Sequence, residues 1–268
     1  RGLSGTDVLV HDLLSSQLDV DRLDYLVRDA HYTGVNSGSV DLERIISSLT
    51  VYRGRLAVKE RGLLAVEEYF LARYFMYWKV YFHKTSRAME LSLKAVLRRA
   101  KVLWKLGEPV RDGVSPSLAA LLDRGGAAPV SAFLGHDDSD VLVAVKAWAQ
   151  GPDAVLARLA SDFLARRRPK LLWEAGPGPD LPKPVRARVH AWFERRQGGS
   201  AGSLFIEDRL EASPYDRRHP ILVVGPGGAR ELSRLSAVVR GIAVHQVHAR
   251  YYVPARYLAA VRVLVPRP

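Results

Sequence analysis

The sequence predicts a mainly α-helical protein with a small α/β lobe at its C-terminus, and three observations carry that expectation. From Leu13 to Leu106 apolar residues recur three and four apart without a single proline. Beyond residue 200 that spacing gives way to short β-branched and aromatic runs. The chain, 268 residues with 48% hydrophobic composition, is long enough to bury a sizeable core.

In chain order, the helical stretch defines an expected first segment over 1–110. Glycine and proline then become dense between Gly107 and Pro129, in GEPVRDGVSPS and DRGGAAP. Helical spacing returns in DDSDVLVAVKAWAQ and DAVLARLASDFLARRR, each with an acidic start that suits the positive end of a helix dipole, so 111–200 is expected to be a helical extension with linkers. GPGPDLPKP (Gly176–Pro184) and QGGSAGS (Gln197–Ser203) are expected breaks. Over 201–268, SLFIEDRL, HPILVV and the stretch near Tyr251 are expected strands, with ELSRLSAVVRGI as a helix between them.

Composition narrows the function classes. No cysteine is present, which excludes disulfides, thiolate metal sites and cysteine nucleophiles and fits a reducing cytoplasm, the expected location. No apolar run is long enough to cross a bilayer, so no membrane partner is expected. The chain opens at Arg1 with neither a basic leader nor a cleavage site, and reads as cut rather than secreted. A formal charge of +12 points to polyanionic partners, for which nucleotides and nucleic acids both qualify. Arg166–Arg168, Arg186, Arg188, Arg195 and Arg196 suit a nucleic-acid patch, although such arginines more often form a solvated face.

Two segments carry candidate chemistry. In a helix, residues four apart are offset by about 40°, so Asp21, Tyr25 and Asp29 of LDVDRLDYLVRDAHYTGV share a face bearing two carboxylates and a phenol. In LARYFMYWKVYFHK, Arg73, Tyr77, Tyr81 and Lys84 share another, with His83 adjacent. Two cations and two phenols suit a polyphosphate and a sugar or base. Spacing alone equally describes a solvated face for the first segment and core packing for the second.

These runs, with VDLERII and VKERGLLAVEEYF, resemble the HD-domain deoxynucleoside triphosphate triphosphohydrolases, densely over Ser15–Ala100 and more weakly through HDDSDVLVAVKAW, FLARRRPK and ARYYVPARY. The resemblance implies an HD-domain helical core and a metal-dependent hydrolysis of deoxynucleoside triphosphates to deoxynucleoside and triphosphate. It implies Asp21 as catalytic residue and last ligand of a His, His-Asp, Asp metal site. Arg22, Tyr25, Asp29, Arg73, Tyr77 and Tyr81 would contact substrate, with a tyrosine under C2′ disfavouring ribonucleotides. Arg44, Lys59, Arg61, His83 and Lys84 match activator-nucleotide positions at the interfaces of a homo-oligomer, a dimer or tetramer. The divalent ion would be Mn, Fe, Mg or Zn, all compatible with nitrogen and oxygen ligands.

One departure qualifies the resemblance. The family's His and His-Asp ligands lie well upstream of the final Asp, whereas His11-Asp12 is too close to Asp21 and is expected to be a helix start or surface pair. His136-Asp137 comes in the wrong order, with Asp137 at a helix N-terminus. Taken literally, the chain should bind metal weakly and lack activity. The rival reading is a catalytically defective HD-like regulatory or nucleic-acid-binding protein. LVVGPGGARE lacks the Lys-Ser/Thr ending of a phosphate loop and is expected to be a plain turn.

Overall fold

The computed structural model describes residues 5–36, 39–176, 180–197, 201–244 and 246–266. The helices are α1 Gly5–Ser15, α2 Val20–Thr33, α3 Leu42–Ser48, α4 Leu63–Met76, α5 Lys84–Lys105, α6 Pro116–Arg124, α7 Val130–Leu134, α8 Asp138–Trp148, α9 Ala154–Leu164, α10 Lys183–Gln197, α11 Ala201–Leu204, α12 Leu232–Leu235, α13 Ala237–Ile242 and α14 Leu258–Arg262. The strands are β1 Leu49–Tyr52, β2 Arg55–Lys59, β3 Lys170–Ala175, β4 Ile206–Ala212, β5 Leu222–Gly225, β6 Gly228–Glu231 and β7 Gln246–Val253. The protein is mainly helical with a small sheet component, as its periodicity implies.

The chain does not divide into three consecutive segments. One compact unit combines residues 1–83 with 211–247, and the other combines 84–210 with 248–268. Neither expected boundary, at 110 or at 200, coincides with the edge of a compact unit, and the C-terminal α/β elements are shared out between the units. The breaks expected at 176–184 and 197–203 fall partly outside the described residues.

In the first unit a four-stranded sheet runs β1-β2-β5-β6. The β1–β2 hairpin interrupts the stretch expected to be helical. It turns at Arg53 and Gly54, both with positive φ (50° and 76°), which suits the inverse turns that match strand twist. Parallel pairing of β2 with β5 then joins positions more than 160 residues apart, from Ala57↔Leu222 to Lys59↔Val224. The sequence LVVGPGGARE is the plain β5–β6 hairpin, its ends paired at Gly225↔Gly228. The core gathers Leu23 and Leu26 of α2, Val66, Tyr69 and Phe70 of α4, and Tyr215 and Val223 from the C-terminal part.

Asp12 corrects a second expectation. It is not a surface pair with His11 but is 4% exposed, accepting from Arg55 Nε at 2.6 Å, Arg55 Nη2 at 2.9 Å and the Leu56 N–H at 3.1 Å. Burial alone would raise its pKa, but these donors outweigh burial and hold the carboxyl below its ordinary range. The clasp fixes α1 on the edge of β2.

In the second unit α5 packs with α6, α8, α9 and α10 around Trp148 and Phe193, and a three-stranded sheet runs β3-β7-β4. The acidic helix starts behave as expected. Asp137 forms a capping box with Asp140, and Asp153 accepts from the Leu156 N–H at 2.7 Å. No helix among the described residues is long and apolar enough to cross a membrane.

Candidate functional site

The site is assembled from α2 and the C-terminal half of α4, both in the first unit. Asp19 caps α2, accepting from the Arg22 N–H at 2.8 Å, and the Arg22 guanidinium folds back onto the Asp19 carboxylate and the Ser16 carbonyl. Leu23 and Leu26 bury one face of α2, which leaves Tyr25 and Asp29 directed toward α4.

The helix α4 does not run on as a regular α-helix. Residues Tyr77–Tyr81 form a π-helical turn, closed by Phe82 N–H donating to the Tyr77 carbonyl at 2.7 Å. This resets the helical phase after Tyr81. Lys84, expected on the same face as Arg73, instead opens α5, so the four-residue face ends at Tyr81.

Across the gap, the Tyr81 hydroxyl donates to Asp29 Oδ2 at 2.7 Å. The Tyr81 ring meets Tyr25 edge-on at 6.3 Å and Tyr77 at 5.6 Å. Arg73 lies over the Tyr77 ring, its guanidinium carbon 5.8 Å from the centroid. Burial, then the hydrogen bond to Asp29, pushes the Tyr81 phenol well above its ordinary value; burial also raises Tyr25, partly countered by the nearby Arg73 charge. These phenols stay protonated, and that of Tyr81 serves as a donor.

Arg73 sets the electrostatics. It is 7% exposed, and its Nε and Nη1 are buried with no hydrogen-bond partner among the described residues. Burial works against its charge; the phenols of Tyr69, Tyr77 and Tyr25 stand beside it, with the Tyr77 hydroxyl oxygen close enough to accept from the guanidinium. Removing a guanidinium from water without a matching carboxylate costs several kcal/mol. Chemically, such a guanidinium is suited to an anion.

The structure thus brings together Tyr25, Asp29, Arg73, Tyr77 and Tyr81. Arg22 lies beside the group but is engaged with Asp19. Asp21 is exposed in the first turn of α2, one turn before Tyr25. No three His or carboxylate side chains among the described residues lie close enough to hold a metal ion. The described residues therefore do not by themselves make a metal centre, and Asp21 offers a single carboxylate toward one.

Of the expected activator positions, Arg44 and Arg61 are joined. Arg44 Nη2 donates to the Arg61 carbonyl at 3.1 Å, and Arg61 Nη2 to the Ser47 carbonyl at 2.9 Å. Gly62 permits this approach, since a Cβ there would stand 2.1 Å from Ser48 Oγ. Lys59, exposed at the end of β2, is close in sequence, while His83 lies in the α4–α5 connection and Lys84 is the first residue of α5.

Sequence reasoning missed Tyr69 and Asp19. Tyr69 is buried, donates to the Gln17 carbonyl at 2.7 Å and precedes Arg73 by one turn. The same four-residue spacing that links Arg73 to Tyr77 could have found it.

Residues 40–103 match the family described as the HD associated region, and the chain is related to the HD-domain phosphohydrolases. The Bacillus subtilis uncharacterized protein YwfO is 34% identical over 247 residues, 87% of this chain and 54% of that protein. The crystal structure of the phosphohydrolase BT4208 from Bacteroides thetaiotaomicron superposes with a TM-score of 0.78 at 29% identity, covering 91% of this chain and 63% of that one. A Dictyostelium discoideum deoxynucleoside triphosphate triphosphohydrolase SAMHD1 homolog is 26% identical over 106 residues, 38% of this chain and 20% of that protein. The chain spans about half the length of YwfO.

Proposed function

We propose that this chain supplies the nucleotide-binding part of a hydrolase that converts deoxynucleoside triphosphates to deoxynucleoside and triphosphate. The single observation that carries the reading is Arg73, a buried guanidinium with two unmatched donors and phenols where a carboxylate would ordinarily stand. Arg73 binds a phosphate oxygen pair. Arg22, released from Asp19, adds a second cation to the polyphosphate. Tyr25, Tyr77 and Tyr81 pack against the sugar and base, and Asp29, held by Tyr81, accepts from a sugar hydroxyl. A phenol ring packed under C2′ leaves no room for a ribose hydroxyl and selects deoxynucleotides.

In the whole protein a divalent ion, Mn, Fe, Mg or Zn, would supply Lewis acidity, with Asp21 as one ligand. Arg44, Lys59, Arg61, His83 and Lys84 would meet an activator nucleotide where copies of the chain associate as a dimer or tetramer.

The test is direct binding, measured calorimetrically with each of the four deoxynucleoside triphosphates and their ribose counterparts. Saturable binding is expected, at least tenfold weaker for ribonucleotides and roughly 100-fold weaker in Arg73→Met, the loss of a charge-assisted bidentate contact. Equal binding by the variant overturns the reading. Binding that persists while the whole protein with metal releases no triphosphate would favour a regulatory member of the family instead.

A further inference from the structure

The positive charge of this protein is not where the candidate active site is. The unit built from residues 1–83 and 211–247 carries 15 Lys and Arg against 14 Asp and Glu, whereas the unit of 84–210 and 248–268 carries 25 against 14. Almost the whole excess of +12 therefore resides in the second unit. Between residues 158 and 196 the imbalance is sharpest, ten cations against four carboxylates.

The fold draws these cations together from three elements. Arg158 of α9, Gln197 at the end of α10, and Arg256 and Tyr257 beside α14 line one cleft of about 350 Å³ floored by Ala154 and Leu204. Arg196 stacks on Trp192 with its guanidinium carbon 4.2 Å from the ring, Trp192 meets Tyr257 at 5.7 Å, and Arg256 stacks on Tyr257 at 4.7 Å. One carboxylate serves two of the arginines, since Asp162 accepts from Arg167 and from Arg256, each at 2.7 Å. Arg158, Arg166, Arg168, Arg195 and Arg196 are exposed and form no ion pair among the described residues.

We infer that this arginine cluster on α9, α10 and the segment before α14 is a binding surface for the phosphate backbone of nucleic acid, separate from the nucleotide site around Arg73. Stacking fixes the planes of Arg196 and Arg256, so their forks are oriented before a phosphate arrives. Arginine predominates over lysine in this unit by 18 to 7. An acidic membrane surface attracts the two alike, whereas planar bidentate recognition of phosphate diesters favours arginine.

The experiment is fluorescence anisotropy of the whole chain with labelled 20-mers of single-stranded RNA, single-stranded DNA and duplex DNA, over a series of salt concentrations, with phosphatidylserine-containing vesicles as a fourth arm. Binding is expected to weaken along a straight line of log affinity against log salt, by roughly 0.7 per phosphate contacted on a single strand. The variant Arg158→Glu, Arg195→Glu, Arg196→Glu should bind at least tenfold more weakly with a shallower slope. The control Arg217→Glu, Arg230→Glu, Arg234→Glu, an identical change of charge in the first unit, should lose less than threefold. Equal losses in the two variants would reduce the effect to net charge and overturn the assignment, as would a flat salt response or vesicle binding stronger than that of every oligonucleotide. If charge reversal disturbs folding by circular dichroism, the Arg→Gln series at the same three positions gives the same readout.

Discussion

Arg73 in the first unit and Arg87 in the second are both withdrawn from water, yet they are balanced in opposite ways. Arg87 meets Asp208, itself 3% exposed, through Nε at 3.1 Å and through Nη2, and adds Glu90 at 2.5 Å. Arg73 has the phenols of Tyr69, Tyr77 and Tyr25 beside it and no ion pair among the described residues. The unit with the large charge excess neutralises its partly buried cation, Arg87. The nearly neutral unit keeps one cation buried and uncompensated. The same residue type is thus met by carboxylates in one unit and by phenols in the other.

That contrast can be broken by substitution. Arg87→Met should destabilise the second unit by about 3–5 kcal/mol, because it strands the Asp208 carboxylate; urea unfolding measures it, and a loss below 1 kcal/mol would make the pair dispensable. Next in size is Asp12→Ala, with an expected loss of about 2 kcal/mol from the Arg55 clasp. Since the folded-state pKa of Asp12 lies below its ordinary 3.8, the stability it provides is present above that pH and fades as the pH falls through the folded value. Wild-type and variant stabilities should therefore converge on acidification, which a pH series of melting temperatures will show.

Arg73→Met carries the opposite sign. Replacing a buried, unpaired cation by an apolar chain of similar length should raise stability by about 1 kcal/mol while phosphate binding is lost. Destabilisation beyond 2 kcal/mol would mean that the guanidinium serves the core and not a ligand. The smallest effect belongs to Tyr81→Phe. Losing the hydrogen bond to Asp29 should cost about 1 kcal/mol or less, and its larger consequence should be weaker binding of deoxynucleotides, because Asp29 is no longer held against the sugar hydroxyl.

Much of this was legible in the amino-acid order. The faces bearing Tyr25 with Asp29, and Arg73 with Tyr77 and Tyr81, follow from helical spacing, and the acidic residues before α8 and α9 announce their caps. What escaped had physical reasons. Strands of four and five residues, β1 and β2, are too short to display an alternation against their helical surroundings, and only Gly54 hinted at their turn. The π-helical turn depends on how Tyr77–Phe82 pack, which no local spacing encodes. Asp12 looked like an exposed neighbour of His11 because its partner, Arg55, is 43 residues away. The sharing of C-terminal elements between two units is likewise a property of distant pairing.

The parallel register of β2 with β5, together with Gln17 donating to the Asp216 and His219 carbonyls at 2.8 and 2.6 Å, fixes an order of events on the ribosome. Every residue assigned to the nucleotide pocket precedes residue 85, but the sheet and core beneath it cannot close until residues near Val239 have emerged. Until then the nascent segment must wait with its apolar faces uncovered, a window in which chaperones or premature termination would decide its fate. A chain stopped at residue 210 would contain the complete inventory of that pocket and still be unable to form it.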